Sequence, residues 1–127
     1  MSPNPYELLG GEAGVKRLVD RFYALMDTLP EAAGIRALHP PDLAQSNEKL
    51  FLFLVGRLGG PNRYVERFGH PRLRARHLPF PIGAAEATAW TLCMNRALDE
   101  QVTEPALRQA LGELFEQTAQ FMRNQAG

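Results

Sequence analysis

The amino-acid sequence predicts a single all-α domain over residues 1–127. Three observations carry this prediction. Hydrophobic residues recur at steps of three and four along four segments, the spacing that places them on one face of a helix. Glycine and proline separate those segments, and both residue types end helices. No stretch alternates between hydrophobic and polar residues in the way that half-buried strands do.

The first half of the chain predicts two of four principal helices. One covers residues 13–27 and ends at Leu29-Pro30. The other opens after Asp42, a candidate N-cap, and ends at Gly59-Gly60-Pro61. We expect the residues between these helices, through His39, to form a loop.

The second half predicts the other two principal helices. One covers residues 84–99, and the last opens at Thr103-Glu104-Pro105, where proline suits the first turn of a helix. Residues 61–81 predict only short helical pieces. The connections 28–42 and 59–83 are long for a simple bundle, which suggests that a ligand lies between the helices.

Composition and charge exclude several classes of protein. Lysine plus arginine and aspartate plus glutamate number 14 each, so the formal net charge is zero. This balance argues against a nucleic-acid partner or an anionic membrane surface. The single cysteine, Cys93, allows no intrachain disulfide, and with no secretory signal or membrane-spanning run we expect a cytoplasmic protein.

The segment HPRLRARHLPFP, residues 70–81, contains two of the three histidines. His77 could simply end a short helix, where an imidazolium suits the helix dipole. It could also be a metal ligand. Zinc is disfavoured, because the sequence has one cysteine, no C-x-x-C and no H-E-x-x-H. Haem brings its own ring of donors and needs only one histidine from the protein.

The arginines of the same segment suit an anionic ligand. Arg72, Arg74 and Arg76 stand close to His77, and the guanidinium group pairs well with carboxylates such as the haem propionates. A solvated basic face remains the alternative for at least one of them.

Two aromatic residues on hydrophobic helix faces have a polar atom as well as a ring. Tyr23 and Trp90 could be ordinary core residues, or each could donate a hydrogen bond to a buried ligand. Neither Cys93 nor Ser46 has the neighbours of a catalytic nucleophile, and there is no G-x-S-x-G motif.

Several stretches together resemble the group II truncated haemoglobins, and the similarity covers nearly the whole chain. They are YELLGGEAG and RFYALM near the start, LGGPNRYVERFGHPRLRARHLPF in the middle, and AWTLCMNRAL after it. Trp90, thirteen residues beyond His77, matches a hallmark of the group. The resemblance implies a two-over-two helical sandwich around haem b (iron protoporphyrin IX).

The resemblance also implies a role for individual residues. His77 matches the proximal iron ligand, and the expected ligand-stabilising residues are Tyr23, His39, Ser46 and Trp90. His39 stands where many members have Phe or Tyr, and it could hydrogen-bond to the ligand or to Tyr23. Lys49 and Arg76 match positions that meet the propionates. The remaining expected pocket residues are Leu50, Phe53, Leu54, Leu73, Arg74, Phe80 and Met94.

Three functions compete on the sequence alone. The first is reversible binding of dioxygen, nitric oxide or carbon monoxide at a five-coordinate iron, as in an oxygen-transport globin. The second is redox catalysis, either nitric oxide dioxygenation or a peroxidase-like reaction with peroxide, which needs an external reductase. The third is a haem-free helical interaction module that uses the Arg72–Arg76 patch. The sequence is compatible with a monomer or a homodimer.

Overall fold

The structure is a computed structural model that describes residues 3–126. Within that range the chain forms α-helices and one 3₁₀ turn, Pro30–Ala32, and no strand. The all-α prediction is therefore confirmed. The helices are α1 (Pro5–Leu9), α2 (Gly11–Thr28), α3 (Ala33–Ala37), α4 (Ala44–Arg57), α5 (Arg63–Phe68), α6 (Leu73–His77), α7 (Ala84–Gln101) and α8 (Pro105–Phe121).

The four long helices pack as two pairs. Helix α2 packs on α4, α7 packs on α8, and the contact between α2 and α7 joins the pairs. The hydrophobic faces that the sequence predicts meet at this junction, where Phe22, Met94 and Phe115 are almost completely buried. This is the expected two-over-two arrangement, and burying these faces is its main source of stability.

Side chains and backbone groups fix where the long helices begin. The Asp42 carboxylate accepts a hydrogen bond from the Ala44 amide at 2.9 Å, and Glu104 accepts from the amides of Ala106 and Leu107 at 3.2 and 2.7 Å. The predicted start of α8 is thus confirmed. Helix α4 has Leu43 as its N-cap and begins at Ala44, one residue later than an N-cap at Asp42 would place it. Helix α2 begins two residues earlier than predicted, and α7 continues to Gln101.

Two short helices, α1 and α3, were not predicted. The start of α1 had a recognisable signal, because the Asn4 side chain accepts from the Glu7 amide at 2.9 Å and Pro5 stands in the first turn. Helix α3 lies in the segment expected to be a loop. Both helices have only five residues, too few to be stable without tertiary contacts.

Helix α1 lies close to α2 because residue 14 has no side chain. A Cβ at Gly14 would stand 1.8 Å from the Leu9 carbonyl oxygen, so no other residue fits there without moving the backbone. The Tyr6 amide also donates to the Leu58 carbonyl at 3.0 Å, which attaches α1 to the end of α4. Among residues 3–126 no helix has the length and hydropathy that a membrane crossing needs.

Candidate functional site

A cavity of about 460 Å³ opens beside the packed helix pairs. Its volume is in the range of small-molecule sites, about 300–1,000 Å³. Its lining is largely apolar and comes from helices α2 to α8 and from the segments that follow α3 and α6. Eleven of the residues that the sequence predicted for the site line this cavity: Tyr23, His39, Ser46, Lys49, Leu50, Phe53, Leu73, Arg76, His77, Phe80 and Trp90.

His77 is the last residue of the short helix α6 and is half-buried. Its Nδ1 lies 2.6 Å from the Leu73 carbonyl oxygen. A carbonyl oxygen only accepts, so Nδ1 donates this bond, and in the neutral imidazole Nε2 then keeps a free lone pair. Nε2 has no hydrogen-bond partner among residues 3–126. Every side-chain polar atom buried in this range does have one, so Nε2 is not buried and is accessible to a ligand. Metal-binding histidines have this arrangement, in which the second nitrogen is hydrogen-bonded.

Trp90 brings an uncommitted donor to the same cavity. Its ring packs against Phe22 and Phe115, at centroid distances of 5.1 and 6.0 Å. In the part of the chain that the structure describes, the indole N–H finds no acceptor, and it is not enclosed by protein. Trp90 is therefore both a packing residue and a donor available to a ligand.

Tyr23 is buried, and its hydroxyl already has a partner. The hydroxyl donates to the Ser46 backbone carbonyl at 3.2 Å, while the ring packs edge-on against Phe22 at 4.9 Å. Burial raises the pKa of Tyr23 well above its usual value, so the hydroxyl keeps its proton. Ser46 thus reaches Tyr23 through its backbone.

His39 lies beside Tyr23 but is not hydrogen-bonded to it. Their rings meet edge to face with centroids 6.0 Å apart, and His39 Nδ1 donates to the Ile35 carbonyl at 2.9 Å. Burial is the main cause that lowers the pKa of His39, and the positive charge of Arg36 lowers it further, while the hydrogen bond to Ile35 raises it. The neutral imidazole therefore presents Nε2 as an acceptor.

Two cations line the cavity without a carboxylate partner among residues 3–126. The Lys49 ammonium stands 5.6 Å from the Phe68 ring centroid, and the Arg76 guanidinium stands 5.8 Å from that of Tyr64. Arg76 also reaches the Phe68 carbonyl at 3.5 Å. By contrast, nearby Arg67 is paired with Glu48. Lys49 and Arg76 are therefore free to neutralise an anionic ligand.

Three of the predicted pocket residues lie elsewhere, and these predictions are corrected. Leu54 and Met94 are 2% and 0% exposed and belong to the core between the helix pairs. Both are enclosed in the core, although Phe53 and Trp90 on the same two helices line the cavity. Arg74 projects outward and donates to the Arg123 carbonyl at 3.1 Å.

About half of the residues that line the cavity were not predicted from the sequence. Tyr64, on α5, supports Arg76, and the Glu86 carboxylate accepts from the Gly83 amide at 2.7 Å as the cap of α7. The capping pattern was readable, but nothing in it indicated proximity to a ligand. The other missed residues have no distinctive local pattern: Ile35, Leu38, Pro40, Ile82, Ala87, Thr118, Ala119 and Met122.

Comparisons with known proteins agree with this geometry. The family model for bacterial-like globins matches residues 4–124. A group 2 truncated haemoglobin of Bacillus subtilis is 43% identical over 121 residues, which cover 95% of this chain and 89% of the relative. The sequence covers nearly the full length of that relative.

Solved structures show the same fold. The group II two-on-two haemoglobin of Agrobacterium tumefaciens superimposes with a TM-score of 0.95 at 48% identity, covering 99% of this chain and 97% of that one. A truncated haemoglobin of Bacillus subtilis described as oxygen-avid gives a TM-score of 0.87 at 42% identity, covering 96% and 100%.

A helical sandwich with a histidine-lined apolar cavity, matched over almost its entire length by globins, defines a haem globin. Within that class, the chain belongs to the group II truncated, or two-on-two, haemoglobins of the bacterial globin family.

Proposed function

We propose that this globin binds haem b in the cavity through His77 Nε2 and reversibly binds dioxygen and other diatomic ligands there. The observation that carries the proposal is the state of His77. Its Nδ1 is committed to the Leu73 carbonyl at 2.6 Å, and its Nε2 is open in a largely apolar cavity. Haem iron takes an imidazole nitrogen in this state as its single protein ligand.

The other lining residues fit the chemistry of haem. The cofactor has an apolar ring system and two propionates. Leu50, Phe53 and Leu73 supply apolar surface, while Lys49 and Arg76 supply positive charge without a competing carboxylate among residues 3–126. Transfer of the ring from water into this lining is favourable, and the two cations match the two anionic groups in number.

The haem supplies an iron atom that binds diatomic molecules, and the chain supplies donors around it. The Trp90 N–H is already free of other acceptors, so it can stabilise partial negative charge on a ligand without first breaking a bond. The Tyr23 hydroxyl must leave Ser46 before it can do the same. Trp90 is therefore proposed as the main donor and Tyr23 as the secondary one. The oxygen-avid relative of Bacillus subtilis supports dioxygen as the ligand.

The visible spectrum tests the proposal directly. It is measured on purified protein in the oxidised, reduced and carbon monoxide-treated states, for the wild type, His77→Ala and His70→Ala. His70 is the matched control, because it lies on the same segment but is exposed. We expect a Soret band that shifts with carbon monoxide in the wild type and in His70→Ala, and its loss or strong alteration in His77→Ala. An unaltered band in His77→Ala would overturn the assignment of His77.

A further inference from the structure

The C-terminal segment holds the chain that follows His77. The Asn124 side-chain amide donates to the carbonyls of Phe80 and His77, at 2.8 and 3.3 Å. Its Oδ1 accepts from the Ile82 amide at 3.0 Å. The backbone amides of Asn124 and Gln125 both donate to the Ile82 carbonyl, at 2.8 and 3.1 Å. Residues 124–125 and 77–82 thus form one hydrogen-bonded unit, which we call the C-terminal clasp.

The composition of residues 78–82 explains why an external partner is needed. Helix α6 has five residues, and a helix leaves its last carbonyls without intrahelical partners. Pro79 and Pro81 have no N–H, so the chain beyond His77 has few donors of its own. The Phe80 amide reaches the His77 carbonyl at 3.0 Å, and Asn124 supplies the second donor there.

An asparagine suits this position because the clasp needs donors and an acceptor from one short side chain. The Asn124 amide group gives both hydrogens to carbonyls and its oxygen to an N–H. An aspartate would keep the acceptor and lose both donors. The neighbouring Arg74 guanidinium, which donates to the Arg123 carbonyl at 3.1 Å, attaches α6 to the same segment a second time.

We propose that Asn124 is a positioning residue for His77, an inference that rests on the proposed role of His77 as haem ligand. The Leu73 carbonyl fixes the rotation of the imidazole at one end of α6, and Asn124 fixes the His77 carbonyl at the other. With both held, the imidazole has little freedom to tilt or withdraw. Asn124 lies 47 residues after His77 in the sequence and does not itself line the cavity.

The test compares Asn124→Ala and Asn124→Asp with the control Asn95→Ala in haem-loaded protein. Asn95 is an exposed asparagine on α7, remote from the clasp. Three quantities are measured: hydrogen exchange at the amides of Leu78, Phe80 and Ile82, the iron–histidine stretching band of the reduced protein, and the rate of haem transfer to apomyoglobin. We expect faster exchange, a shifted or broadened band and about tenfold faster haem loss in both Asn124 variants. The Asn95 control should match the wild type.

The outcomes separate this inference from the proposed function. One outcome would overturn only the inference about Asn124. In it, both Asn124 variants match the wild type in the iron–histidine band and in the rate of haem loss, while His77→Ala alters the visible spectrum. An unaltered spectrum in His77→Ala would overturn the proposed function. Should Asn124→Ala fold poorly, Asn124→Asp still answers the question, because it keeps an acceptor for the Ile82 amide while it replaces the two donors by a carboxylate that cannot bind the two carbonyls.

Discussion

The Tyr23 hydroxyl donates to the backbone carbonyl of Ser46 at 3.2 Å, which ties a cavity residue of α2 to the first turn of α4. A tyrosine has one hydroxyl hydrogen, so the donor that serves Ser46 cannot at the same time serve a ligand. The Trp90 N–H is not committed in this way within residues 3–126. Tyr23 must therefore break a hydrogen bond before it can donate to a ligand, whereas Trp90 need not.

Trp90→Phe should speed the release of dioxygen. Phenylalanine keeps an aromatic ring beside Phe22 and Phe115 but removes the N–H. One hydrogen bond to a ligand with partial charge contributes about 1.5–3 kcal/mol, so we expect release to be roughly 10- to 150-fold faster. Stopped-flow measurement with carbon monoxide as the displacing ligand gives the rate. An unchanged rate contradicts the role proposed for Trp90.

Tyr23→Phe should change dioxygen release less than Trp90→Phe does. The hydroxyl must give up its bond to Ser46 before it binds a ligand, so its net contribution is smaller. Loss of the same bond should lower the free energy of unfolding by about 1 kcal/mol. Tyr64→Phe is the matched control, since Tyr64 lines the same cavity and its hydroxyl binds no acceptor in residues 3–126. If Tyr23→Phe speeds dioxygen release as much as Trp90→Phe or more, Trp90 is not the main donor.

His39 should make the protein less stable as the pH falls. Burial lowers its pKa in the folded state below the ordinary value of about 6.5, so the unfolded chain binds the proton more readily. Stability is therefore complete above pH about 6.5 and declines as the pH falls from there toward the folded pKa.

The comparison of wild type with His39→Phe isolates this effect. Urea unfolding at about pH 7.5 and about pH 5.5 gives the loss of stability for each protein. We expect the wild type to lose more, because the variant has no imidazole at this place and keeps the other titrating groups. Equal losses in the two proteins refute a depressed pKa at His39.

Gly14→Ala and Gly34→Ala should shift stability in opposite directions. A Cβ at Gly14 would overlap the Leu9 carbonyl oxygen at 1.8 Å and force α1 away from α2. At Gly34, in α3, no atom lies within 4 Å of the new Cβ. We expect Gly14→Ala to cost several kcal/mol and Gly34→Ala to add about 0.5–1 kcal/mol, from the higher helix propensity of alanine. Thermal unfolding of both variants measures the shifts, and a neutral Gly14→Ala refutes the close contact.

The long helices and much of the site could be predicted from the sequence because their signals are local. The hydrophobic spacing of α2, α4, α7 and α8 and the cap at Glu104 lie within one or two turns of the chain. His77 stood out because prolines follow it within four residues and its motif matches a family. Helices α1 and α3 were missed because five residues form a helix only when tertiary contacts, such as the one between Tyr6 and Leu58, support them.

The sequence by itself determined which residues are hydrophobic, where the four long helices lie and which histidine is the candidate iron ligand. Only the tertiary structure decided which of them meet. Leu50 and Leu54 stand one turn apart on α4, yet Leu50 lines the cavity and Leu54 lies in the core. Asn124 reaches the segment after His77 from the far end of the chain. Which residues meet depends on how whole helices pack. The crossing of two helices decides which positions are buried between them, and the hydrophobic spacing within either helix does not.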